Sequence, residues 1–289
     1  MRAAGFSLFV AWAVPMAPAG AQIPSEWASW NEPVRPFRIA GNLYYVGARE
    51  VASYLFETAD GLILLDAGFE ETVPVIAAAI EELGFRLEDV EILLSSHAHF
   101  DHVGGLAELK RLTGATLVAS AAEAPLLESG GVEYPFAPVA VDRVLEDGEA
   151  VELGGTRLTA MVTAGHTPGC TTWTATVPGT DLDALFLCSV SVLPDMDLLT
   201  PSTSFPEGRA AAFRRSFERL EALEPDLFLA AHGSFFRLVD KLELLERGAG
   251  VANPFVDPEL YREHLAAKKE AFEEALAQQL DAKRGTGTN

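Results

Sequence analysis

Cysteine is nearly absent: Cys170 and Cys188 are the only two in 289 residues. A disulfide scaffold is thereby excluded, and stability must come from apolar burial. One bridge between the two is compatible with the sequence, but nothing in it indicates one. Basic residues are also scarce, 21 Lys+Arg against 42 Asp+Glu, for a net charge of -21. Binding to phosphate backbones needs Lys and Arg to displace counterions, so nucleic acid is excluded as a partner. Long apolar runs are missing beyond the N-terminus. There, Arg2 precedes an apolar run over 3–16, and Ala19-Gly20-Ala21 supplies small residues before Gln22. The run is shorter than the ~20 residues of a spanning helix and contains Pro15, which predicts an export signal cleaved after Ala21 rather than an anchor. A periplasmic protein without stable membrane association follows. Short-period repeats and low-complexity tracts are absent as well.

What remains is ordinary for a globular domain: 49% hydrophobic and 22% charged residues, enough for a sizeable core. Residues 22–284 are expected to form one domain, with 285–289 as a flexible tail. Runs at 42–46 and 54–58 look like strands, and Ala59-Asp60-Gly61 turns the second into 62–66. Helical spacing over 72–83 leads to a nearly continuous apolar strand at 90–94. A helix over 105–111, a strand at 116–119 and a helix over 121–127 continue an alternation of β and α. Strands at 151–153, 157–163, 171–177 and 184–187 predict a second sheet. A helix over 209–223, a strand at 227–230 and a long amphipathic helix over 258–284 complete the chain. The last helix carries Tyr261, Leu265, Phe272, Leu276 and Leu280 on one face, and it should pack on the body as a lid. Two long loops, 130–140 and 191–208, are rich in Gly, Pro and polar or aromatic residues and are placed to cover a groove.

The chemistry concentrates directly after the 90–94 strand, in Ser95-Ser96-His97-Ala98-His99-Phe100-Asp101-His102-Val103-Gly104-Gly105. In extended backbone, residues two apart face the same way, so His97 and His99 can converge on one metal while Asp101 and His102 aim at another. Neutral imidazole with a single carboxylate suits zinc, whereas an oxygen-only set would suit Mg or Ca. The chain has six histidines. His166, in Gly165-His166-Thr167, and His232, before Gly233, sit at strand ends beside glycine, where a ligand is well held. His264 lies in the charged tail helix and reads as a packing or surface residue.

The run His97-Ala98-His99-Phe100-Asp101-His102 resembles the HxHxDH signature of the metallo-β-lactamase superfamily. Gly165-His166-Thr167, His232 and the strand motif Leu64-Leu65-Asp66-Ala67-Gly68 resemble its other landmarks. The resemblance implies a four-layer αββα sandwich of the α/β class and two zinc ions per chain. It implies one site of His97, His99 and His166 and a second of Asp101, His102 and His232, with Asp66 behind them orienting a ligand. Many hydrolases of the superfamily carry a further Asp that bridges the metals, and this chain has Leu185-Phe186-Leu187-Cys188-Ser189-Val190-Ser191 at that place. Asp195 and Asp197 come too late. The missing acid, with Ser189 and Ser191 in that stretch, resembles the third subclass of class B β-lactamases.

That resemblance implies hydrolysis of the amide of penicillins, cephalosporins or carbapenems by a zinc-bound hydroxide, without a covalent intermediate, and hence antibiotic resistance. Its catalytic residues would be Asp101, His97, His99 and His166, and Ser189 and Ser191 would hydrogen-bond the substrate carboxylate. Two divalent ions against one carboxylate leave the centre cationic, which attracts an anionic small molecule despite the acidic exterior. The rivals are a zinc lactonase or thioesterase of the same superfamily, and a zinc- or partner-binding protein with a dead centre.

Overall fold

The computed structural model describes residues 25–131, 135–247 and 252–286. The expected export segment, Tyr134 of the first loop and residues 287–289 of the expected flexible tail lie outside them. Two sheets lie at the centre. The first has seven strands in sequential order: β1 (Phe37–Ala40), β2 (Leu43–Tyr45), β3 (Tyr54–Thr58), β4 (Gly61–Leu65), β5 (Val90–Leu94), β6 (Thr116–Ser120) and β7 (Arg143–Leu145). β1 to β4 form an antiparallel meander, and β4 to β7 run parallel. The second sheet contains β8 (Ala150–Leu153), β9 (Thr156–Val162), β10 (Thr171–Thr176), β11 (Asp183–Leu187) and β12 (Leu227–Ala230), with only β11 and β12 parallel.

Strand alternation sorts side chains into two layers. Tyr45, Tyr54, Phe56, Ile63 and Leu65 share a core with Leu158, Trp173 and Phe186 of the second sheet. Their neighbours Tyr44, Leu55, Leu62 and Leu64 point the other way, onto α1 (Val73–Glu82) and α3 (Leu106–Thr113). On the far face of the second sheet lie α5 (Arg209–Leu220) and α7 (Pro258–Thr286). The remaining helices are the short α2 (Phe100–Val103) and α4 (Ala124–Ser129), and α6 (Leu238–Glu246) between α5 and α7 in the chain. The αββα sandwich expected from the sequence is therefore present.

The strands β1 and β7 and the helices α2 and α6 were not foreseen. β7 is three residues long with Val144 half exposed, so it carries no apolar alternation to read. The tail helix packs on α5 and β12 as expected, with Tyr261, Leu265, Phe272 and Leu276 buried, but Leu280 is largely exposed. Near its end, Gln279 grips the 191–208 loop by accepting the Leu198 N–H and donating to Met196 O. The two cysteines are joined: Cys170 precedes β10, Cys188 follows β11, and a disulfide links the ends of these paired strands. Sequence separation alone cannot show that the two strands are neighbours.

Between the sheets, the Tyr54 hydroxyl donates to Ala230 O at 2.6 Å and accepts the Ala230 N–H at 3.1 Å. Residues 50–52 run beside 231–233, directly after β12, through Ala52 N–H to Ala231 O, Gly233 N–H to Glu50 O, and a bridge between Val51 and His232. Val256 bridges Leu227 at the other end of that strand. Among the described residues no helix is long and apolar enough to cross a membrane.

Phe272 is fully enclosed and packs against Phe213 and Phe217 of α5. Phe272→Ala should lower unfolding free energy by about 3–5 kcal/mol, read from the urea midpoint, because the cavity lies between two anchored helices.

Candidate metal centre

All six ligand-type residues named from the sequence gather at one end of the sandwich. His97 and His99 follow the C-terminal end of β5, and Asp101 and His102 are the two middle residues of α2. His166 lies in the β9–β10 connection, and His232 directly follows β12. Gly165 has φ +146°, and a Cβ there would lie 2.6 Å from the Phe213 ring, so only glycine lets this loop press onto α5. Arg209 at the start of α5 donates to the carbonyls of Gly165 and His166.

Two groups of ligand atoms form. His97, His99 and His166 each present an atom within 4.8 Å of the others, and so do Asp101, His102 and His232. The His97 ring centroid lies 4.3 Å from that of His102, so the groups adjoin. Within the second group, His102 Nε2 is 3.2 Å from His232 Nε2 and 3.2 Å from Asp101 Oδ2. Asp101 Oδ2 is also 3.7 Å from His232 Nε2.

The residues fit metal cations on the chemistry of the donor set. His97 Nε2 is buried with no hydrogen-bond partner. Its Nδ1 lies 3.0 Å from Ser96 Oγ, and His166 Nδ1 lies 2.8 Å from Ser191 O. A proton on Nδ1 in each ring leaves the Nε2 lone pair for an ion. Burial holds the His97 imidazole well below its ordinary pKa, lowers His99 to about 4 and lowers His166 and His232 to about 3. These rings are neutral at neutral pH, the form that ligates. His102 is the exception: burial lowers its pKa, but Asp101 and other carboxylates more than offset this and raise it. Asp101, despite burial, is held well below the usual carboxylate range by the surrounding imidazoles, His102 foremost.

Asp66 is buried at the end of β4 in the left-handed region, φ +61°, a conformation that Asp tolerates better than most residues. Its Oδ1 accepts the Ser96 N–H at 2.7 Å, so what it holds is the backbone one residue before His97. Burial pushes its pKa up to about 6, while the nearby His102 opposes that rise. The Ser189 hydroxyl accepts the Ser191 N–H at 3.2 Å, and Ser191 Oγ is buried without a partner. Asp195 and Asp197 are exposed in their loop, with Asp197 capping Leu199 and Thr200, and neither joins a ligand group among the described residues. His264 packs between Phe228 and Phe235, the place of a helix-packing residue.

Two carboxylates near the centre escaped sequence reasoning. Glu50 Oε1 lies 3.6 Å from His232 Nδ1 and accepts the Ser234 hydroxyl, and Glu123 sits fully buried beside the loops that carry His97 and His166. Neither lies near a ligand in sequence, so no local spacing marks them. An aromatic cluster was also missed: Trp30 meets His232 edge-on at 5.6 Å, and Trp27 meets Phe100 at 5.1 Å.

Residues 46–232 match the family model described as "Metallo-beta-lactamase superfamily". The chain belongs to this superfamily. Among solved structures it is similar to the native FEZ-1 metallo-β-lactamase from Legionella gormanii, with 41% identity and a TM-score of 0.81, covering 86% of this chain and 98% of that one. It is similar to BJP-1, a subclass B3 metallo-β-lactamase of Bradyrhizobium japonicum, at 36% identity and TM-score 0.80, covering 88% and 98%. A Cronobacter sakazakii metallo-β-lactamase with a HARLDQ motif gives 38% identity and TM-score 0.83, covering 88% and 99%. The likeness to the third subclass is thus borne out. Curated relatives point elsewhere in the superfamily. A probable metallo-hydrolase of Burkholderia pseudomallei is 29% identical over 52% of this chain and 53% of its own length. A hydroxyacylglutathione hydrolase of Acidiphilium cryptum is 27% identical over 67% and 65%. The chain thus spans about half to two thirds of the length of these two relatives.

Neutral imidazole is the binding form, so affinity is lost as pH falls through the pKa values of the folded protein. Zinc affinity of the His97/His99/His166 group, measured by chelator competition, should stay flat from about pH 8 to about pH 5 and fall only as pH approaches the His99 value of about 4. Ordinary imidazoles would lose affinity from about pH 6.5 downward.

Proposed function

We propose that the protein is a dinuclear zinc hydrolase that opens the amide ring of β-lactam antibiotics. The observation that carries this reading is the meeting of three separated segments, 97–102, 166 and 232, in two adjoining ligand groups that contain one carboxylate between them. Support comes from the likeness to solved metallo-β-lactamases over nearly their whole length. His97, His99 and His166 would hold one zinc ion, and Asp101, His102 and His232 the other. When bound, such a pair supplies an acidified water and a Lewis acid for the lactam carbonyl.

The chain's own groups have distinct tasks. Asp101 stays ionised among the imidazoles, so its carboxylate can accept a hydrogen bond from the attacking water and aim it. Ser191 holds His166 through its carbonyl and keeps an unpartnered hydroxyl, the donor we assign to the substrate carboxylate. Ser189 fixes the Ser191 backbone and retains its own hydroxyl proton for donation. The 191–208 loop, held by Gln279, supplies the exposed apolar side chain of Leu193 as a contact for the antibiotic's substituent. Export to the periplasm, where such a substrate is met, belongs to the proposal and rests on residues 1–21.

A second reading, a thioesterase acting on a glutathione conjugate, is favoured by the curated relatives named as hydroxyacylglutathione hydrolases. Against it stands the run 185–191, which has no acid to bridge two metals.

Purified protein should hydrolyse a chromogenic cephalosporin, lose that activity with a chelator and regain it with added zinc. Asp101→Ala should lower kcat/KM by about 10²-fold or more with the fold intact by circular dichroism. Faster turnover of a hydroxyacyl-glutathione thioester or a homoserine lactone than of penicillin, cephalosporin and carbapenem would overturn the β-lactamase reading, as would full activity without metal.

A further inference from the structure

The first ligand group is assembled from two loops distant in sequence, one after β5 bearing His97 and His99, the other between β9 and β10 bearing His166. Their separation decides whether three imidazoles can share one ion. The Glu123 side chain touches both loops. Glu123, in the turn between β6 and α4, accepts the Ala98 N–H on Oε2 at 2.7 Å, and Ala98 is the residue between His97 and His99. Its Oε1 accepts the Thr167 hydroxyl at 2.5 Å and the Gly169 N–H at 2.8 Å, both just past His166.

Everything around this contact is built for close approach. Glu123 is 0% exposed. Ser120, the last residue of β6, donates to Gly169 O at 2.7 Å. A Cβ on Gly169 would lie 2.4 Å from Ser120 Oγ and 2.7 Å from Glu123 N, so the loop can reach the turn only with glycine there. A carboxylate buried this deeply is tolerated only when its oxygens are satisfied, and here three neutral donors converge on it from the two loops. The requirement is for a carboxylate in particular. An amide of the same size would turn its NH2 either toward the Ala98 N–H or toward the Thr167 and Gly169 donors, and one side of the clamp would become donor against donor.

We infer that Glu123 is a positioning residue that fixes the spacing of His97 and His99 against His166, and thereby the affinity and geometry of the cation that these three imidazoles hold. The inference rests on the proposed metal-binding role of that group, and it assigns a task to a residue that touches neither ion nor substrate.

The test separates the two ligand groups. Glu123→Gln is placed in a His232→Ala background, where only the first group is complete, and in a His166→Ala background, where only the second is. Zinc affinity is read by chelator competition, and the cobalt(II)-substituted forms are read by their visible absorption. In the His232→Ala background, Glu123→Gln should weaken binding by about 10- to 100-fold and alter the cobalt spectrum. In the His166→Ala background neither should change, because Glu123 bonds to no residue of the second group. Equal affinity and spectrum in the first background would overturn the inference, and so would equal losses in both, which mark general loosening. Should Glu123→Gln not fold, Thr167→Val removes one donor and leaves the carboxylate, and it must shift the same two readouts in the same background by a smaller factor. Absence of β-lactam turnover by the unmodified protein, with zinc bound, would sink the β-lactamase reading and leave this inference standing. Failure of the unmodified protein to bind zinc through the first group would sink both.

Discussion

Neutral imidazole held out of water is the condition on which this molecule's chemistry rests. A histidine in solvent shares its lone pair with protons near neutral pH, whereas a histidine sunk in the sandwich keeps it for a metal. Burial is the largest influence on His97, His99, His166 and His232, and it drives all four toward the neutral form. The cost of enclosing these polar rings is offset by partners on their far sides: Ser96 for His97, the Ser191 carbonyl for His166 and Glu50 for His232.

The fold supplies the address. β5 and β12 each lie beside a parallel neighbour in their own sheets and end at the same rim, so residues following them come together although about 130 positions apart in the chain. The other candidate ligand, His166, comes from a hairpin connection that glycine and Arg209 press onto α5. The disulfide ties the ends of β10 and β11 close to His97, with both sulfurs and a nitrogen of that ring within 4.8 Å. In this state the sulfurs are bonded to each other, so cysteine takes no part as a thiolate ligand.

Much of this was legible in the amino-acid order, for a physical reason. The HAHFDH run puts four candidate ligands within six positions, so local spacing alone carries most of the candidate centre. The apolar runs in 54–58 and 90–94 mark strands whose limits the structure reproduces. Illegible were the features that depend on which distant segments meet. Glu50 and Glu123 look like any acids on an acidic chain until folding removes them from water. The pairing of Cys170 with Cys188 needs β10 and β11 to be neighbours, and β1 and β7 are short strands recruited by the sheet rather than by their own pattern. Asp66 was legible as a residue near the centre, but its partner, the Ser96 amide, is a backbone group that sequence does not mark.

Tyr54 has a wider effect than its two hydrogen bonds suggest. β12 is the last strand of its sheet, and such a strand normally offers a row of unpaired amides and carbonyls on which another polypeptide can assemble. Here a phenol from the opposite sheet occupies the Ala230 peptide, residues 50–52 take the stretch beside Ala231 and Gly233, and Val256 takes the start. The strand that delivers His232 is therefore closed as a template for fibril-like growth, and the molecule can keep a polar, metal-seeking rim at that border without inviting a neighbour to zip onto it.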